Sequence, residues 1–409
     1  MDSRLVGTGV AALRDHNQAL VLRQILLHPG LSRTEIAARI GLTDAAVSRI
    51  TRGLIEGGLV REGAEAPAEP GQRGRRHVQL EAEAKGAAFL AVSLTISDRR
   101  VSLLDLAGAR RAEAALPSAL PGDYDALVAA VADAARGLLA RARVPRGRLL
   151  GAAATTAGAV DQATGRVRRS SLAVLQDREL GGDLAARLGV PVLVETVGNA
   201  FGLAEAHRAA RRQGGALTGA SLLVHVAFGL GVSVTLDGMP VRTRGDERLA
   251  SHLPVAAGRQ RCLCGATGCL MAEAAGYGVL RRLGGAPEGP PTGWEAMRPE
   301  ALRDLIAAAR DGEAEAGRAV REAGRVLGLH LFALAAPVTP RRIILGGPLA
   351  AAPPYAEGAR ERLAEVFARA GEAVPELLVS DIDYLQAAEF LAIEEFALRR
   401  PLALERLAA

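Results

Sequence analysis

The first sixty positions alternate apolar and polar residues with a helical period. Leu20, Leu22, Ile25 and Leu26 share one side of a segment from Asp15 to His28, which predicts a first helix stopped by Pro29-Gly30. Ser32-Arg33-Thr34-Glu35 has the spacing of a capping box, in which the Ser hydroxyl and the Glu carboxylate satisfy each other's backbone N–H. It opens a short second helix with Ile36, Ala37 and Ile40 on its apolar face. Gly41 makes a tight turn, and Thr43 caps a third helix that ends near Gly57-Gly58. At about 100° per residue, Val47, Ile50, Thr51 and Leu54 of that helix fall on one side, and Ala45, Ser48, Arg49 and Arg52 on the other. The period then shortens. Leu59–Glu62 and His77–Leu80 predict two short strands around a Pro/Gly/Ala loop that ends in Gln72-Arg73-Gly74-Arg75-Arg76.

Beyond residue 85 strands and helices alternate. Phe89–Ser93 and Val101–Asp105 predict a strand pair, and Asp123–Arg143 a long helix. Leu149–Thr155, Val192–Glu195, Ser221–Val226 and Ile343–Leu345 read as buried strands separated by Ala/Arg/Leu-rich helices. This is an α/β pattern with a mixed sheet. Gly284–Gly293 reads as a surface loop, and no tandem repeat of 20–50 residues is visible.

Composition narrows the picture. The 409 residues are 49% apolar and 23% charged, which is globular and long enough for two or three domains. No uninterrupted apolar run of about 18 residues suggests a membrane span. The start of the chain, with Asp2, Arg4, Arg14 and Asp15, does not resemble a signal peptide, so a cytoplasmic protein is expected. The net charge of +5 is uneven: residues 1–80 hold 11 arginines against 8 acids. The excess therefore sits on the three helices and the strand pair.

That arrangement is the layout of a winged helix-turn-helix reading double-stranded DNA. Small Ala45 and Ser48 allow close approach to base edges, and Arg49 and Arg52 can bond guanine or phosphate. Ser32 and Arg33 at the start of the second helix, and Thr43 at the start of the third, complete the candidate contacts. Arg73, Arg75 and Arg76 can reach phosphates or a narrow minor groove. Aromatic residues are only 3% of the chain, which disfavours single-strand stacking.

The three cysteines lie together, as Cys262-Leu263-Cys264-Gly265-Ala266-Thr267-Gly268-Cys269, with His252 ten residues upstream. An odd, clustered set excludes a disulfide framework. Three thiolates and one imidazole make a closed tetrahedral zinc site of the structural kind, one Zn2+ per chain, with Gly265 and Gly268 permitting the turns.

Asn17–Leu59, including Leu31-Ser32-Arg33-Thr34-Glu35-Ile36-Ala37 and Gly41-Leu42-Thr43-Asp44-Ala45-Ala46-Val47-Ser48, resembles the N-terminal domain of ROK family repressors. The resemblance extends over nearly the whole chain, and the family zinc pattern is matched at all four ligand positions. It implies a winged helix (1–82) fused to a two-lobed actin-like, ribonuclease-H-like domain (83–409). The small lobe would span about 86–198 plus the C-terminal helix 385–409. The large lobe would span about 199–384, with the zinc loop at 252–269. It also implies a homodimer or tetramer on a palindromic operator, with repression as the default sign.

The same resemblance makes the kinase chemistry of the family conspicuous by its replacement. The phosphate-cradling Asp-x-Gly-Gly-Thr loop reads Ser93-Leu94-Thr95-Ile96-Ser97, and the second loop reads Ala227-Phe228-Gly229-Leu230-Gly231. The Asn-Asp pair that supplies the catalytic base reads Thr196-Val197, and Val197 cannot take a proton. Leu249 and Met271 stand where two sugar-binding glutamates are expected, and His252 alone of that set remains. Thr196, Val197, Leu249, His252 and Met271 are thus the expected effector pocket. Either its effector is not a typical hexose and is less polar, or effector binding has been lost; control by another protein is a third route. A degenerate sugar kinase or kinase-like scaffold is the alternative reading, and enzymatic phosphoryl transfer is not expected.

Overall fold

A computed structural model describes residues 10–65, 78–117, 123–213, 218–241, 250–284 and 298–400. Arg73, Arg75, Arg76, Leu249 and residues 285–293 of the Gly/Pro-rich loop lie outside the described residues.

Helices α1 (Val10–Leu27), α2 (Arg33–Ile40) and α3 (Asp44–Glu56) precede the antiparallel strands β1 (Val60–Glu65) and β2 (Val78–Ala82). The first helix starts five residues before the expected Asp15, and its buried face is Val21, Leu22, Ile25 and Leu26; Leu20 is only half-buried. The Ser32 capping box forms as expected, and Gly41 closes α2 at φ 68°. Thr43 caps α3 by accepting from the Ala46 N–H. Val47, Thr51 and Leu54 are buried on one face of α3 and Ile50 is half-buried there.

The body contains two five-stranded sheets. The first holds β3 (Ala88–Leu94), β4 (Arg99–Asp105), β5 (Arg110–Ala115), β6 (Leu149–Thr156) and β9 (Val192–Thr196), in the order β5-β4-β3-β6-β9. Helix α4 (Tyr124–Ala142), the hairpin of β7 (Gly158–Asp161) and β8 (Arg166–Ser170), and α5 (Leu180–Leu188) fill its connections. Helix α6 (Val197–Gln213) then crosses to the second sheet. That sheet holds β10 (Ala220–Val226), β11 (Leu230–Leu236), β12 (Met239–Pro240), β13 (Arg342–Gly346) and β14 (Glu376–Val379), in the order β12-β11-β10-β13-β14. Helices α7 (Leu270–Ala274), α8 (Gly276–Arg282), α9 (Pro299–Arg310), α10 (Ala314–Ala335), α11 (Pro353–Ala370) and α12 (Tyr384–Ile393) complete it, and a π-helical turn, Glu394–Arg399, follows α12.

Both sheets use one plan. Three antiparallel strands lead, and two further strands add in parallel beside the first of them. The two lobes are therefore structural copies of the actin-like, ribonuclease-H-like unit, although the sequence carries no visible repeat. Helix α6 lies on β10 and β11 of the second sheet, α12 on β3 and β6 of the first, and the two helices pack on each other.

One apolar cluster crosses the boundary between the N-terminal module of α1–α3, β1 and β2 and the body. It joins Val21, Leu22, Ile25, Ile36 and Leu54 to Phe89, Ala153, Phe201, Leu385, Leu391 and Phe396. Arg148 adds a polar clasp, donating to the carbonyls of Gly57 at 2.8 Å and Gly86 at 2.9 Å. Leu22→Ala should therefore destabilise the whole protein by about 2–5 kcal/mol in denaturant unfolding. A loss below about 1 kcal/mol would contradict a close-packed shared core.

Candidate functional site: a recognition helix, an interlobe cleft and a metal centre

Helix α3 presents Thr43, Ala45, Arg49 and Arg52 as exposed residues, with Ser48 half-exposed between them. This polar face is opposite Val47 and Leu54, so burial of one face dictates what the other offers. Two other candidates are engaged elsewhere. Ser32 is buried, and its hydroxyl belongs to the cap, 2.7 Å from a Glu35 carboxylate oxygen. Arg33 donates to Thr51 Oγ1 at 3.1 Å and to Glu62 at 2.7 Å, tying α2 to α3 and β1. For Ser32 the structure shows a buried capping hydroxyl in place of an exposed contact; Arg33 bridges α2, α3 and β1 while staying partly exposed.

Between the lobes lies a cleft of about 370 Å³. Its walls come from the turn after β3 (Thr95, Ile96, Ser97), the β7–β8 hairpin (Arg169, Ser170, Ser171), the start of α6 (Thr196, Val197, Gly198), the β10–β11 turn (Ala227–Gly231) and the metal loop (His252, Leu263, Cys264, Met271). Thr196, Val197, His252 and Met271 are thus brought together from segments 75 residues apart in the chain.

The turn after β3 is closed on itself. Thr95 Oγ1 accepts from the Asp98 N–H at 2.9 Å, and the Ser93 hydroxyl points to the Asp98 carbonyl at 3.5 Å. Among the described lining residues there is no Asp, Glu or Lys. Glu195, one position before the wall, is buried and turned away; its Oε1 accepts from the Thr196 N–H at 2.7 Å and from Asn199 at 3.1 Å, and Ser233 donates to Asn199 at 2.8 Å. Gly347, after β13, sits at φ 89°, where a Cβ would fall 2.5 Å from the Val226 carbonyl and 2.8 Å from His225 Nε2. That close approach explains why the Gly346-Gly347 pair stands at this strand end.

Sequence reasoning missed several lining groups. His225 and Tyr384 both line the cleft and meet edge to face with ring centroids 5.1 Å apart, and burial holds His225 down at about 4, hence neutral. Arg169 and Ser171 come from a hairpin whose short strands carry too little alternation to announce themselves.

The four residues of a candidate metal site lie beside one cleft wall, with His252 and Cys264 lining it. The ligand atoms of His252, Cys262, Cys264 and Cys269 all lie within 4.8 Å of one another. Cys264 and Cys269 sulfurs are 3.6 Å apart, and His252 Nδ1 is 3.5 Å from Cys262 Sγ. Two ligands about 2.3 Å from one tetrahedral ion would be about 3.8 Å apart, so the donor set fits a metal ion. Burial pushes the Cys262 thiol up to about 12 and raises Cys269 as well, so a cation is what would favour all three thiolates. Gly265 and Gly268 take φ of 92° and 75°, as the tight loop requires. Glu273, absent from the expected set, braces the loop: its Oε1 accepts from the Arg259 and Gln260 N–H groups, each at 2.7 Å, and Arg282 donates to its Oε2 at 3.3 Å.

Comparison with known proteins agrees with this construction. The ROK family pattern matches residues 91–386, and the MarR family pattern matches residues 14–69. The transcriptional regulator Rv0485 of Mycobacterium tuberculosis is 30% identical over 343 residues, 82% of this chain and 75% of that protein. The DNA-binding transcriptional dual regulator NagC of Escherichia coli is 26% identical over 347 residues, 83% of this chain and 82% of that protein. The crystal structure of a ROK family transcriptional regulator, a homologue of the E. coli MLC protein, has the same fold. Its TM-score is 0.74 over 97% of this chain and 99% of that one, at 22% identity. The chain belongs to the ROK family, with a winged helix-turn-helix joined to a two-lobed ROK domain.

Proposed function

We infer that the protein is a sequence-specific DNA-binding transcriptional regulator, acting as a repressor and binding its operator as a homodimer or tetramer. The observation that carries this reading is the exposed Arg49/Arg52 face of α3, opposite a face that shares its core with the ROK body. Two-fold protein symmetry would match two half-sites about one helical turn, or a multiple, apart. The relatives named transcriptional regulators support this function.

Phosphoryl transfer is not part of the proposal. Val197 offers no base, and Ser93 and Thr95 spend their hydroxyls on Asp98 rather than on a phosphate. The cleft is better suited to a ligand other than a common hexose, because sugar hydroxyls need acceptors and the described walls carry no carboxylate. The ion is proposed to be zinc. It would be held by His252, Cys262, Cys264 and Cys269 and would brace the wall formed by Leu263 and Met271; with four protein ligands its contribution is structural.

Three outcomes test this reading. In a gel shift, the full-length protein should retard duplex DNA from its own promoter region in a salt-sensitive manner. Arg52→Ala should weaken that binding by about 1–3 kcal/mol with the melting temperature nearly unchanged; absence of any sequence-specific shift would refute the regulator reading. Metal analysis of the purified protein should find about one zinc per chain, lost in Cys269→Ser; full zinc retention in that variant would exclude the proposed ligand set. Calorimetry with a panel of monosaccharides and their phosphates should find no micromolar hexose binding, and such binding would overturn the account of the cleft.

A further inference from the structure

Two helices start at the cleft and lead to the same buried group. Helix α6 leaves it at Val197 and Gly198, and α12 leaves it at Tyr384. His207 lies ten residues along α6, about 15 Å from its start. It is buried, and its Nε2 is 2.7 Å from Oε2 of Glu394, the residue that follows α12. The Glu394 side chain is only 3% exposed. Its remaining partner comes from the DNA-reading module: Arg23 of α1 donates to its two oxygens at 3.1 and 3.2 Å. One carboxylate thus joins a helix on the second sheet, a helix on the first sheet and the module that reads DNA.

Such a group resists partial pairing. Burial pushes its carboxyl up, yet His207 and Arg23 overcome that and hold it down at about 2. A buried carboxylate deprived of one partner is strongly destabilising, so its partners must move with it or the packing must rearrange. The module has a second anchor of a different kind. Arg148, just before β6, clasps the carbonyl of Gly57 at the end of α3, and so holds α3 to the first lobe alone. With one anchor on a single lobe and the other where both lobes meet, a change in the angle between the lobes turns the module about the Arg148 clasp.

We propose that Glu394 is the coupling element between the cleft and the recognition helix, with His207 and Arg23 as its positioning residues. The inference rests on the reading of the protein as a DNA-binding regulator with an effector cleft, and it assigns the route between the two sites.

Linkage is reciprocal, so DNA binding must be felt in the cleft. The test uses the full-length protein and a duplex selected from random-sequence DNA on that protein, with amide hydrogen exchange as the readout. In the wild type, saturating duplex should change exchange at the start of α6, residues 197–199, by about fivefold. Arg23→Gln should lower the melting temperature, because it leaves Glu394 buried with one partner fewer, but below that temperature it should still bind the duplex and lose this distant response. Arg23→Lys should restore part of it, and Arg52→Ala, saturated with duplex, should transmit it in full. A merely structural Arg23 would leave the response intact in every variant that binds. Full response in Arg23→Gln, or none in a wild type that binds DNA, would overturn the relay alone. Failure of the wild type to select any duplex would sink the regulator reading and the relay with it.

Discussion

Everything in this molecule depends on a core that the DNA-reading module does not own by itself. A unit of about 80 residues buries too small a fraction of its surface to be more than marginally stable. Here Val21, Leu22 and Ile25 enter the same apolar cluster as Phe201, Leu385 and Phe396 of the body. The recognition helix is consequently held at a defined angle to the lobes. Its exposed arginines cannot be oriented independently of the π-helical turn after α12, on which α1 packs.

The second consequence concerns the cleft. A duplicated sheet plan brings six separate segments to one interlobe space, and in a kinase that space would hold phosphates and a proton-accepting carboxylate. In this chain the described walls are hydroxyls, apolar side chains, Gln176, Cys264, His252, a neutral His225 and one arginine. The nearby carboxylates serve the framework instead: Glu195 satisfies the first turn of α6, and Glu273 holds the metal loop. Both carboxylates are engaged in internal hydrogen bonds and neither lines the cleft. The metal loop belongs to the same logic. A four-ligand ion lacks an open position for chemistry, but it can stiffen a wall that a short loop with few apolar residues could not hold.

Local features were legible because local forces decide them. The capping box at Ser32, the left-handed turn at Gly41, the apolar stripe of α3 and the Cys/His spacing each depend on residues close together in the chain, the widest set being His252 to Cys269. Ser32 differs from Thr43, which also caps its helix, in being buried rather than exposed. The bridge from Arg33 to Thr51 and Glu62 was not legible, because those partners are remote in sequence. Strand β14 and the β7–β8 hairpin escaped notice since four- and five-residue strands carry little periodicity.

What the sequence by itself determined was the kind of parts: a winged helix, an α/β body, a Cys₃His cluster, and a sugar-kinase frame without its usual acids. Tertiary structure decided how the parts act on one another. That His252 and Met271 share a cleft wall with Thr196, that two lobes repeat one topology, and that Arg23 and His207 meet on Glu394 are matters of chain crossing. The partners of Glu394 are separated from it by 371 and 187 positions. No pattern along the chain encodes such a pairing, because a buried charge is satisfied by whatever the fold brings within hydrogen-bond reach.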